Sequence, residues 1–397
     1  MMHGLDLDTP PHATRVVVAM SGGVDSSVTA ALVAEAGYEV VGVTLQLYDH
    51  GAAVRRPGAC CAGQDIHDAR DVAERIGIPH YVLNYEDRFR QSVIDGFADS
   101  YLQGETPIPC VSCNQTVKFR DLLATARDLG AAALCTGHYV QRVAGPDGVR
   151  MRMAVDRSRD QSYFLFATTR AQLGFLRFPL GAMEKQETRE HARRFGLAIA
   201  GKPDSQDICF VPDGRYADVV RRLRPGSVTP GEIVHVDGTV LGTHNGVIDY
   251  TVGQRRGLGI GGRKSGAGQS EPLYVVRIEP AAHRVVVGPR AALARHEVAL
   301  DAVNWLDPRA PDRAGMRCLV RFRSTQEPVP AEFRSEPDGG GHVRFRVPQY
   351  GVSPGQALVC YRDDGTVLGG GWIRARRDRT PAGRGGLSGC AAPLDAA

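Results

Sequence analysis

The sequence predicts an α/β fold in which an N-terminal doubly wound parallel-sheet domain is followed by two small β-rich or β-barrel modules. In the first half, short apolar runs such as RVVVAM (15–20) alternate with helical patterns. Such runs are typical of strands that are buried on both faces of a parallel sheet. From about Pro225 the pattern changes to short alternating strands such as EIVHVDG and HVRFRVP, separated by glycine and proline. These strands predict antiparallel sheets or small barrels.

The first half is predicted to be a series of βα units. After RVVVAM, a glycine-containing turn leads into a helix whose Val28, Leu32 and Val33 face the core and which ends at Gly37. The further predicted elements are a strand VVGVTLQLY (40–48), a helix at 65–76, a strand at 80–85, helices at 91–101 and 117–129, and a strand ALCTGH (133–138). Because doubly wound sheets bind ligands beyond the carboxyl ends of their strands, we expect the site there.

The domain boundaries are predicted from the same change of pattern. We expect a catalytic domain at 1–215, a central β-rich domain at 216–297, a C-terminal β-barrel at 298–378 and a disordered tail at 379–397. With 397 residues, 43% of them hydrophobic and 23% charged, the chain has the composition of a folded multidomain protein.

Charge and cysteine content restrict the function further. The net charge of +4 is compatible with a polyanionic partner without demonstrating one. The sequence has no apolar run of the roughly 18 to 20 residues that span a membrane, and its amino terminus is acidic and polar, so we expect a cytoplasmic protein and no membrane partner. In that reducing compartment, the closely spaced members of its nine cysteines are interpreted as metal, redox or catalytic thiols.

The loop AMSGGVDSS (19–27) is a candidate phosphate site. It lies between a strand and a helix N-terminus, where glycines allow close approach and backbone amides favour an anion. We predict that this loop binds the phosphates of ATP. Asp25 is placed to hold Mg²⁺ that bridges the phosphates. The alternative is a glycine turn in which Asp25 and Ser26 only cap the helix.

The loop lacks the lysine of G-x-x-x-x-G-K-[ST], so chemistry centred on the γ-phosphate is not indicated. SGG-x-DSS instead resembles the signature of the ATP pyrophosphatase family, with its adenine nucleotide alpha hydrolase-like fold. The resemblance implies cleavage of ATP between the α- and β-phosphates and adenylation of a substrate. TGHY (136–139) ends another predicted strand, so Gly137 is expected to approach the nucleotide, and His138 either faces the substrate or is a structural histidine.

Candidate thiols follow in PIPCVSCNQTVKFR (107–120) and DSQDICF (204–210). Lys118, Asn114 and a helix N-terminus lie near Cys113 in sequence, which predicts a lowered pKa and a nucleophilic thiolate. The alternatives for C-x-x-C are half of a zinc site, although Cys60 and Cys61 are adjacent and provide no second pair, or a redox pair. Cys135 and Cys318 are interpreted as core residues and Cys390 as a tail residue.

The chain resembles the tRNA-specific 2-thiouridylases over about residues 15–375. The segments that carry this resemblance are AMSGGVDSS, GETPIPCVSCNQTVKF, CTGHY, RDQSYFL, GKPDSQDICF, YTVGQRRGLGI, LYVV, VRFRS and SPGQALV. The resemblance implies that Cys113 is the catalytic nucleophile and that Cys209 carries a persulfide. It also implies an ATP site formed by Ala19, Met20, Ser21, Gly22, Gly23, Val24, Asp25, Ser26, Leu45 and Gly137.

The resemblance also implies a set of tRNA contacts: His138, Arg159, Asp160, Gln161, Arg321, Phe322 and Gln356. The chain departs from some members of the family, which have an acidic residue at the position of Cys110. Cys110 is therefore a bystander, a resolving thiol, or a ligand of an iron-sulfur cluster together with Cys113 and Cys209.

The implied reaction is 2-thiolation of the wobble uridine in tRNA. Adenylation turns the 2-oxygen into a leaving group, with release of pyrophosphate and later AMP. The Cys209 persulfide delivers sulfur directly or after reduction to sulfide, and Cys113 and Cys209 then form a disulfide. The implied partners are tRNAs for Lys, Glu and Gln and a sulfur donor such as a cysteine desulfurase or a relay protein. The rival functions are another adenylating ligase or amidotransferase of this fold and a non-catalytic, nucleotide-gated RNA-binding protein.

Overall fold

The computed structural model describes residues 4–48, 61–204, 208–211, 214–260, 263–264, 270–309, 311 and 314–375. Its strands are β1 Arg15–Ala19, β2 Glu39–Gln46, β3 His80–Asn84, β4 Ala133–Thr136, β5 Val140–Gly145, β6 Gly148–Met153, β7 Leu176–Arg177, β8 Gly231–His235, β9 Val240–His244, β10 Arg263–Lys264, β11 Ser270–Glu271, β12 Tyr274–Glu279, β13 Arg284–Gly288, β14 Ala294–Trp305, β15 Met316–Arg321, β16 Val329–Ser335, β17 Gly341–Tyr350, β18 Ala357–Tyr361 and β19 Val367–Ile373. Its α-helices are α1 Val24–Glu35, α2 Cys61–Ile76, α3 Glu86–Phe89, α4 Asp95–Leu102, α5 Pro109–Cys113, α6 Leu123–Asp128, α7 Arg170–Phe175, α8 Lys185–Arg194 and α9 Tyr216–Leu223.

The N-terminal sheet is parallel throughout, in the order β3-β2-β1-β4-β7, which confirms the predicted fold class. Its central strand β1 is fully buried at Val16, Val17 and Val18, as its run of β-branched residues predicts. Chain order runs outward from β1 to β2 on one side and to β4 on the other. The loops after β1 and β4 therefore border the crevice in which doubly wound sheets bind ligands.

The predicted helix after β1 is confirmed, including its end. Val28, Leu32 and Val33 are buried, and Gly37 has a φ of 88°, the left-handed conformation expected just after a helix. The later helix that was predicted to begin at Val117 begins instead at Pro109, because proline is well suited to a first helical position.

Two helices of this domain contain π-helical segments that the sequence did not predict. One, Arg90–Ile94, joins α3 to α4, and the other, Asn114–Leu122, joins α5 to α6. The second begins directly after Cys113. π-Helical segments are rare in proteins, and those that occur are often found at functional sites. The segment after Cys113 therefore indicates a functional role for the thiol region.

The two β-rich modules differ in closure. The central module has a four-stranded sheet in the order β12-β13-β8-β9, and the C-terminal module is a closed barrel in the order β14-β17-β16-β15-β18-β19. The expectation of purely antiparallel strands was wrong for β13 and β8, which pair in parallel. This arrangement arises because the chain leaves the sheet after β9 and returns to it at β12. The β5–β6 hairpin was not predicted, and its Arg152 forms a bridge to Thr366 of the barrel module.

The predicted tail 379–397 with Cys390, and Cys60, lie outside the described residues. Cys135 and Cys318 are buried, as predicted. Within the part of the chain that the structure describes, no helix is both long enough and apolar enough to span a membrane.

Candidate active site

The loop between β1 and α1 is held in one conformation by its own polar groups. The hydroxyl of Ser26 accepts a hydrogen bond from the Ser21 amide (3.0 Å) and donates one to the Gly23 carbonyl (3.2 Å). Gly22 has a φ of 73°, and a Cβ atom there would lie 2.0 Å from the carbonyl oxygen of Asp65, so only glycine fits. The first-turn amides of α1, which have no partner within the helix, remain available to a phosphate at this loop.

The segment after β4 packs directly against this loop. A Cβ atom on Gly137 would lie 2.8 Å from the carbonyl carbon of Asp25 and from the amide nitrogen of Ser26. On the other side of β1, Leu45 lies near the end of β2 and is partly buried, and Met20 is tied to β2 by hydrogen bonds with Val43 and Thr44. The structure therefore brings the sequence-predicted nucleotide residues together at one edge of the sheet.

Asp25 is at the centre of an ion-pair network that the sequence did not reveal. Its Oδ1 accepts hydrogen bonds from Lys185 Nζ (2.6 Å) and from the Tyr139 hydroxyl (3.0 Å). Burial and the carboxylate of Asp25 raise the pKa of Tyr139, which keeps the hydroxyl protonated as a donor. Lys185 Nζ also lies 2.7 Å from Asp204 Oδ1. Tyr139 was present in the TGHY motif, but Lys185, at the start of the highly charged α8, gave no sequence signal.

Among the described residues, Asp204 forms ion pairs with three basic side chains. Besides Lys185, it pairs with Arg189 (3.1 Å) and with Arg159 (3.0 Å). Although burial alone would raise it, the hydrogen bond from Lys185 and the nearby arginines hold the pKa of Asp204 below its ordinary value. The carboxylate is therefore ionised at neutral pH.

Lys202 provides a second attachment of this segment to the nucleotide loop. Its Nζ donates to the Gly22 carbonyl (3.0 Å) and pairs with Asp65 (2.6 Å) and Asp68 (2.5 Å) of α2. Despite the opposing effect of burial, these carboxylates raise the pKa of Lys202. The stretch 202–204, which precedes Cys209, is thus fixed to the loop at two places.

Cys113 is the last residue of α5 and is only 7% exposed. Burial raises the pKa of its thiol, an effect that Lys118 opposes without reversing. The prediction of a lowered pKa at Cys113 was therefore wrong for this state of the protein. Sequence spacing identified the nearby lysine correctly, but it did not reveal the cost of placing a thiolate in an apolar cluster.

Cys209 lies near Cys113 although 96 positions separate them in the sequence. Phe210, the next residue, belongs to the same buried apolar cluster as Cys113 and packs edge-on against Phe97 at 5.1 Å between ring centroids. The carbonyl of Cys209 accepts a hydrogen bond from the Tyr48 hydroxyl (2.8 Å). Residue Cys209 is open to solvent, yet the surrounding protein and the neighbouring Cys113 and Cys110 raise the pKa of its thiol. The residue is therefore accessible to solvent while its sulfur is largely surrounded by protein.

His138 and Lys118 complete the polar part of the thiol region. His138 Nδ1 is hydrogen-bonded to Thr136 Oγ1 (2.9 Å), and its ring packs edge-on against Phe119 at 5.8 Å. Burial and the charge of Lys118 hold the pKa of His138 well below its ordinary value, so the imidazole is neutral. Lys118 is close enough to Cys113, Cys209 and His138 to influence the pKa of all three.

The described residues contain no group of three or more His, Cys, Asp or Glu side chains that could hold a metal ion. Cys110 nevertheless lies close enough to Cys113 and Cys209 to raise the pKa of both thiols, and the iron-sulfur cluster stays a prediction. Asp25 remains suited to a magnesium ion bound with phosphate, because the hydrogen bonds to its carboxylate in the described chain all involve Oδ1.

Three of the predicted tRNA contacts have buried side chains. Asp160 and Arg321 form an ion pair of 2.7 Å with side-chain exposures of 0% and 5%, and Asp160 also accepts hydrogen bonds from the Ala154 amide and the Ser162 hydroxyl. Phe322 is in the barrel core, where it packs against Phe345. In this structure none of the three presents its side chain to a macromolecule, and their part in tRNA binding stays a prediction.

The other predicted tRNA contacts lie nearer the surface. Arg159 is 39% exposed while it pairs with Asp204. Gln161 accepts a hydrogen bond from the Tyr139 amide (2.8 Å), and Gln356 donates one to the Thr106 carbonyl (2.8 Å). Through Gln356 the C-terminal barrel contacts the segment that leads to Cys110, so the barrel lies beside the thiol region.

Three family models match consecutive parts of the chain. They are described as the tRNA methyl transferase HUP domain at residues 14–213, the tRNA methyl transferase PRC-barrel domain at 218–289 and the aminomethyltransferase beta-barrel domain at 295–373. Their order corresponds to the parallel sheet, the central sheet and the closed barrel.

Curated relatives match over nearly the full length. The tRNA-specific 2-thiouridylase MnmA of Rhodospirillum centenum is 66% identical over 96% of this chain and 96% of its own. The protein of the same name from Methylorubrum populi is 64% identical over 94% of this chain and 97% of its own. A solved complex of a 4-thiouridine synthetase with RNA and bound ATP shares 17% identity over 50% of this chain and 46% of its own. Its TM-score of 0.33 is too low to establish structural similarity.

Proposed function

Because the chain belongs to the tRNA-specific 2-thiouridylase family, we propose that it uses ATP to replace the 2-oxygen of the wobble uridine in tRNA with sulfur. The observation that carries the proposal within this chain is the convergence of two distant thiols beside a phosphate-binding loop. Cys113 and Phe210 share one apolar cluster, and the segment before Cys209 is attached to the loop through Lys202 and Lys185.

The nucleotide loop would activate the uridine. The first-turn amides of α1 bind the phosphates, and Gly137 lets the segment after β4 pack closely against the backbone of this loop. The 2-oxygen attacks the α-phosphorus, pyrophosphate leaves, and the oxygen becomes part of a phosphate ester. Asp25 is the residue that would hold Mg²⁺, which neutralises phosphate charge when it is bound.

The thiols would then exchange the oxygen for sulfur. The outer sulfur of a persulfide on Cys209 attacks C2, and AMP departs with the original 2-oxygen. The thiolate of Cys113 attacks the Sγ of Cys209, which breaks the bond to the transferred sulfur and leaves a Cys113–Cys209 disulfide together with 2-thiouridine. A dithiol reductant and a persulfide donor, such as a cysteine desulfurase or a relay protein, restore the starting state. No step passes through a metal cluster.

Substrate binding is assigned to the surface between the sheet edge and the barrel. Arg159, Gln161, His138 and Gln356 are proposed to contact tRNA, with tRNAs for Lys, Glu and Gln as the substrates. Asp160, Arg321 and Phe322 would support this surface from within, because their side chains are buried. A base in an anticodon loop is extruded more cheaply than a base in a duplex, which makes a recessed site practicable.

The test is a complete reaction with anaerobically purified enzyme. Unmodified tRNA, ATP and a persulfide donor are incubated with the enzyme, the nucleosides are analysed by mass spectrometry, and AMP and pyrophosphate are quantified. We expect 2-thiouridine, AMP and pyrophosphate in equal amounts. Nucleotide binding without pyrophosphate release would favour the RNA-binding alternative, and pyrophosphate release without thiolation would favour another adenylating ligase.

A further inference from the structure

We propose that Asp204 and Lys185 are positioning residues that couple the nucleotide loop to the sulfur-carrying Cys209. The inference rests on the proposed function, since it requires ATP at the loop and a reactive thiol at Cys209. It adds an assignment to two residues that do not belong to the predicted ATP, thiol or tRNA sets.

The first step in the argument is the placement of Lys185. Its side chain is 10% exposed, and its Nζ lies between Asp25 Oδ1 (2.6 Å) and Asp204 Oδ1 (2.7 Å). A lysine that is this far removed from water requires carboxylate partners. Lys185 therefore binds both carboxylates as a unit, and displacement of one of them changes its interaction with the other.

The second step concerns what ATP does to Asp25. The loop receives the negative phosphates, and Asp25 is the residue assigned to their counter-ion. Either event changes the charge that Lys185 meets on the side of Asp25. Within a largely buried cluster, such a change acts strongly on the remaining pair, Lys185 and Asp204.

The third step is the path from Asp204 to the thiol. Asp204 is five positions before Cys209, and Lys202, two positions before Asp204, donates a hydrogen bond to the Gly22 carbonyl of the same nucleotide loop. Beyond the thiol, Phe210 is packed against Phe97, and the Cys209 carbonyl is bound by Tyr48. Cys209 is therefore anchored directly by Tyr48 and Phe210, and the chain is anchored at the nucleotide loop five to seven positions before it, through Asp204 and Lys202.

The position of Arg159 indicates that the ion-pair network does more than stabilise the fold. It approaches Asp204 from the segment in which tRNA contacts are predicted, and it is 39% exposed. A phosphate of RNA that engaged Arg159 would weaken its pair with Asp204. The same carboxylate thus receives connections from the nucleotide side and from the RNA side, which is the position expected of a residue that coordinates them.

The experiment measures the reactivity of Cys209 with and without nucleotide. Full-length enzyme is treated with iodoacetamide in the presence or absence of Mg²⁺ and an ATP analogue with a methylene group between the α- and β-phosphorus atoms, which cannot be cleaved there. Tryptic peptide 195–215 contains Cys209 as its only cysteine, so its alkylation rate is measured separately from Cys110 and Cys113 in peptide 91–118. Binding of the analogue is measured in parallel by calorimetry.

In the wild-type protein we expect the analogue to change the alkylation rate of Cys209 by about fivefold or more, the lower range of typical coupling between sites. In Asp204→Asn the analogue still binds, but the rate becomes nearly independent of it. Lys185→Met is expected to lose the dependence as well. The matched control is Glu35→Gln, which neutralises a surface carboxylate paired with Arg194 in the same domain and should behave as the wild type.

Two results would overturn the proposal: bound analogue with no effect on Cys209 in the wild type, or an undiminished effect in Asp204→Asn. Failure of the wild-type protein to bind the analogue at all would instead refute the proposed function. A variant whose fold is disturbed is recognised by a changed alkylation rate of Cys110 in the absence of nucleotide, and Asp204→Glu, which keeps the charge, should restore the coupling.

Discussion

The nucleotide loop and the thiol region lie close together, but the loop is surrounded by charged side chains and the thiols by mostly apolar ones. Around the loop, carboxylates and amines are paired at 2.5 to 2.7 Å: Asp25 and Asp204 with Lys185, and Asp65 and Asp68 with Lys202. Around the thiols, the neighbours are apolar and aromatic, and the histidine is neutral. The charged site is ready for a polyanion, whereas the sulfur site keeps its nucleophiles protonated. Under the proposed relay, substrate binding must therefore change the surroundings of the thiols before they react.

The largest effect is expected when either thiol is removed. Cys113→Ala and Cys209→Ala should each reduce formation of 2-thiouridine by about 10³-fold or more, because the proposed relay needs a nucleophile at one position and a sulfur carrier at the other. ATP binding, measured by calorimetry, should persist in both. Cys318→Ala, a buried barrel cysteine away from the site, is the control. Normal turnover in either active-site variant would refute the sulfur relay.

A smaller but still large effect is expected when the carboxylate of the nucleotide loop is removed. Asp25→Ala should lower tRNA-dependent pyrophosphate release by about 10²-fold, since it removes the carboxylate that faces the phosphates and leaves Lys185 with one partner fewer. Pyrophosphate is measured by a coupled assay, with Glu35→Gln as the control. Unaltered release in Asp25→Ala would show that the charged network is structural only.

A steric change should weaken nucleotide binding by about tenfold. Gly137→Ala places a Cβ atom 2.8 Å from the Asp25–Ser26 peptide, and overpacking of this kind costs about 1 to 3 kcal/mol. Gly174→Ala is the matched control, because a Cβ atom there meets nothing within 4 Å. The KM for ATP should rise in the first variant only. Equal values in the two variants would contradict the close approach at this edge of the sheet.

The smallest effect concerns the pH dependence of Cys113. Because burial raises its pKa, the rate of its alkylation should increase with pH through and beyond the ordinary thiol range. Lys118 favours the thiolate, so Lys118→Met should move this profile to higher pH and slow alkylation several-fold at a fixed pH. The rate is followed on a tryptic peptide that contains Cys113, and Lys118→Arg should keep the wild-type profile. A profile unchanged by loss of the charge would remove Lys118 from the thiol region.

The sequence predicted the fold, and which candidate residues lie together, better than it predicted the ionisation and the long-range contacts of those residues. The β1 run, the SGGVDSS loop and the C-x-x-C spacing are local patterns, and each was recognisable in a few adjacent residues. The pKa of Cys113, the parallel pairing of β8 with β13 and the link from Lys185 to Asp25 depend on residues that are distant in the chain. Burial and long-range ion pairs arise only in the folded protein, which is why motif analysis identified Lys118 near Cys113 and still gave the wrong direction for the thiol.

The span of the ion pairs around the loop has a consequence for biosynthesis. Gly22 is hydrogen-bonded to Lys202, which is 180 positions later in the sequence, and Asp25 is hydrogen-bonded to Lys185, which is 160 positions later. A chain that emerges from the ribosome presents the glycine-rich loop first, but it cannot close these contacts until nearly the whole first domain has been translated. Non-local contacts of this kind form late in folding. The ion pairs and hydrogen bonds around the nucleotide loop can therefore be completed only after residue 202 has left the ribosome.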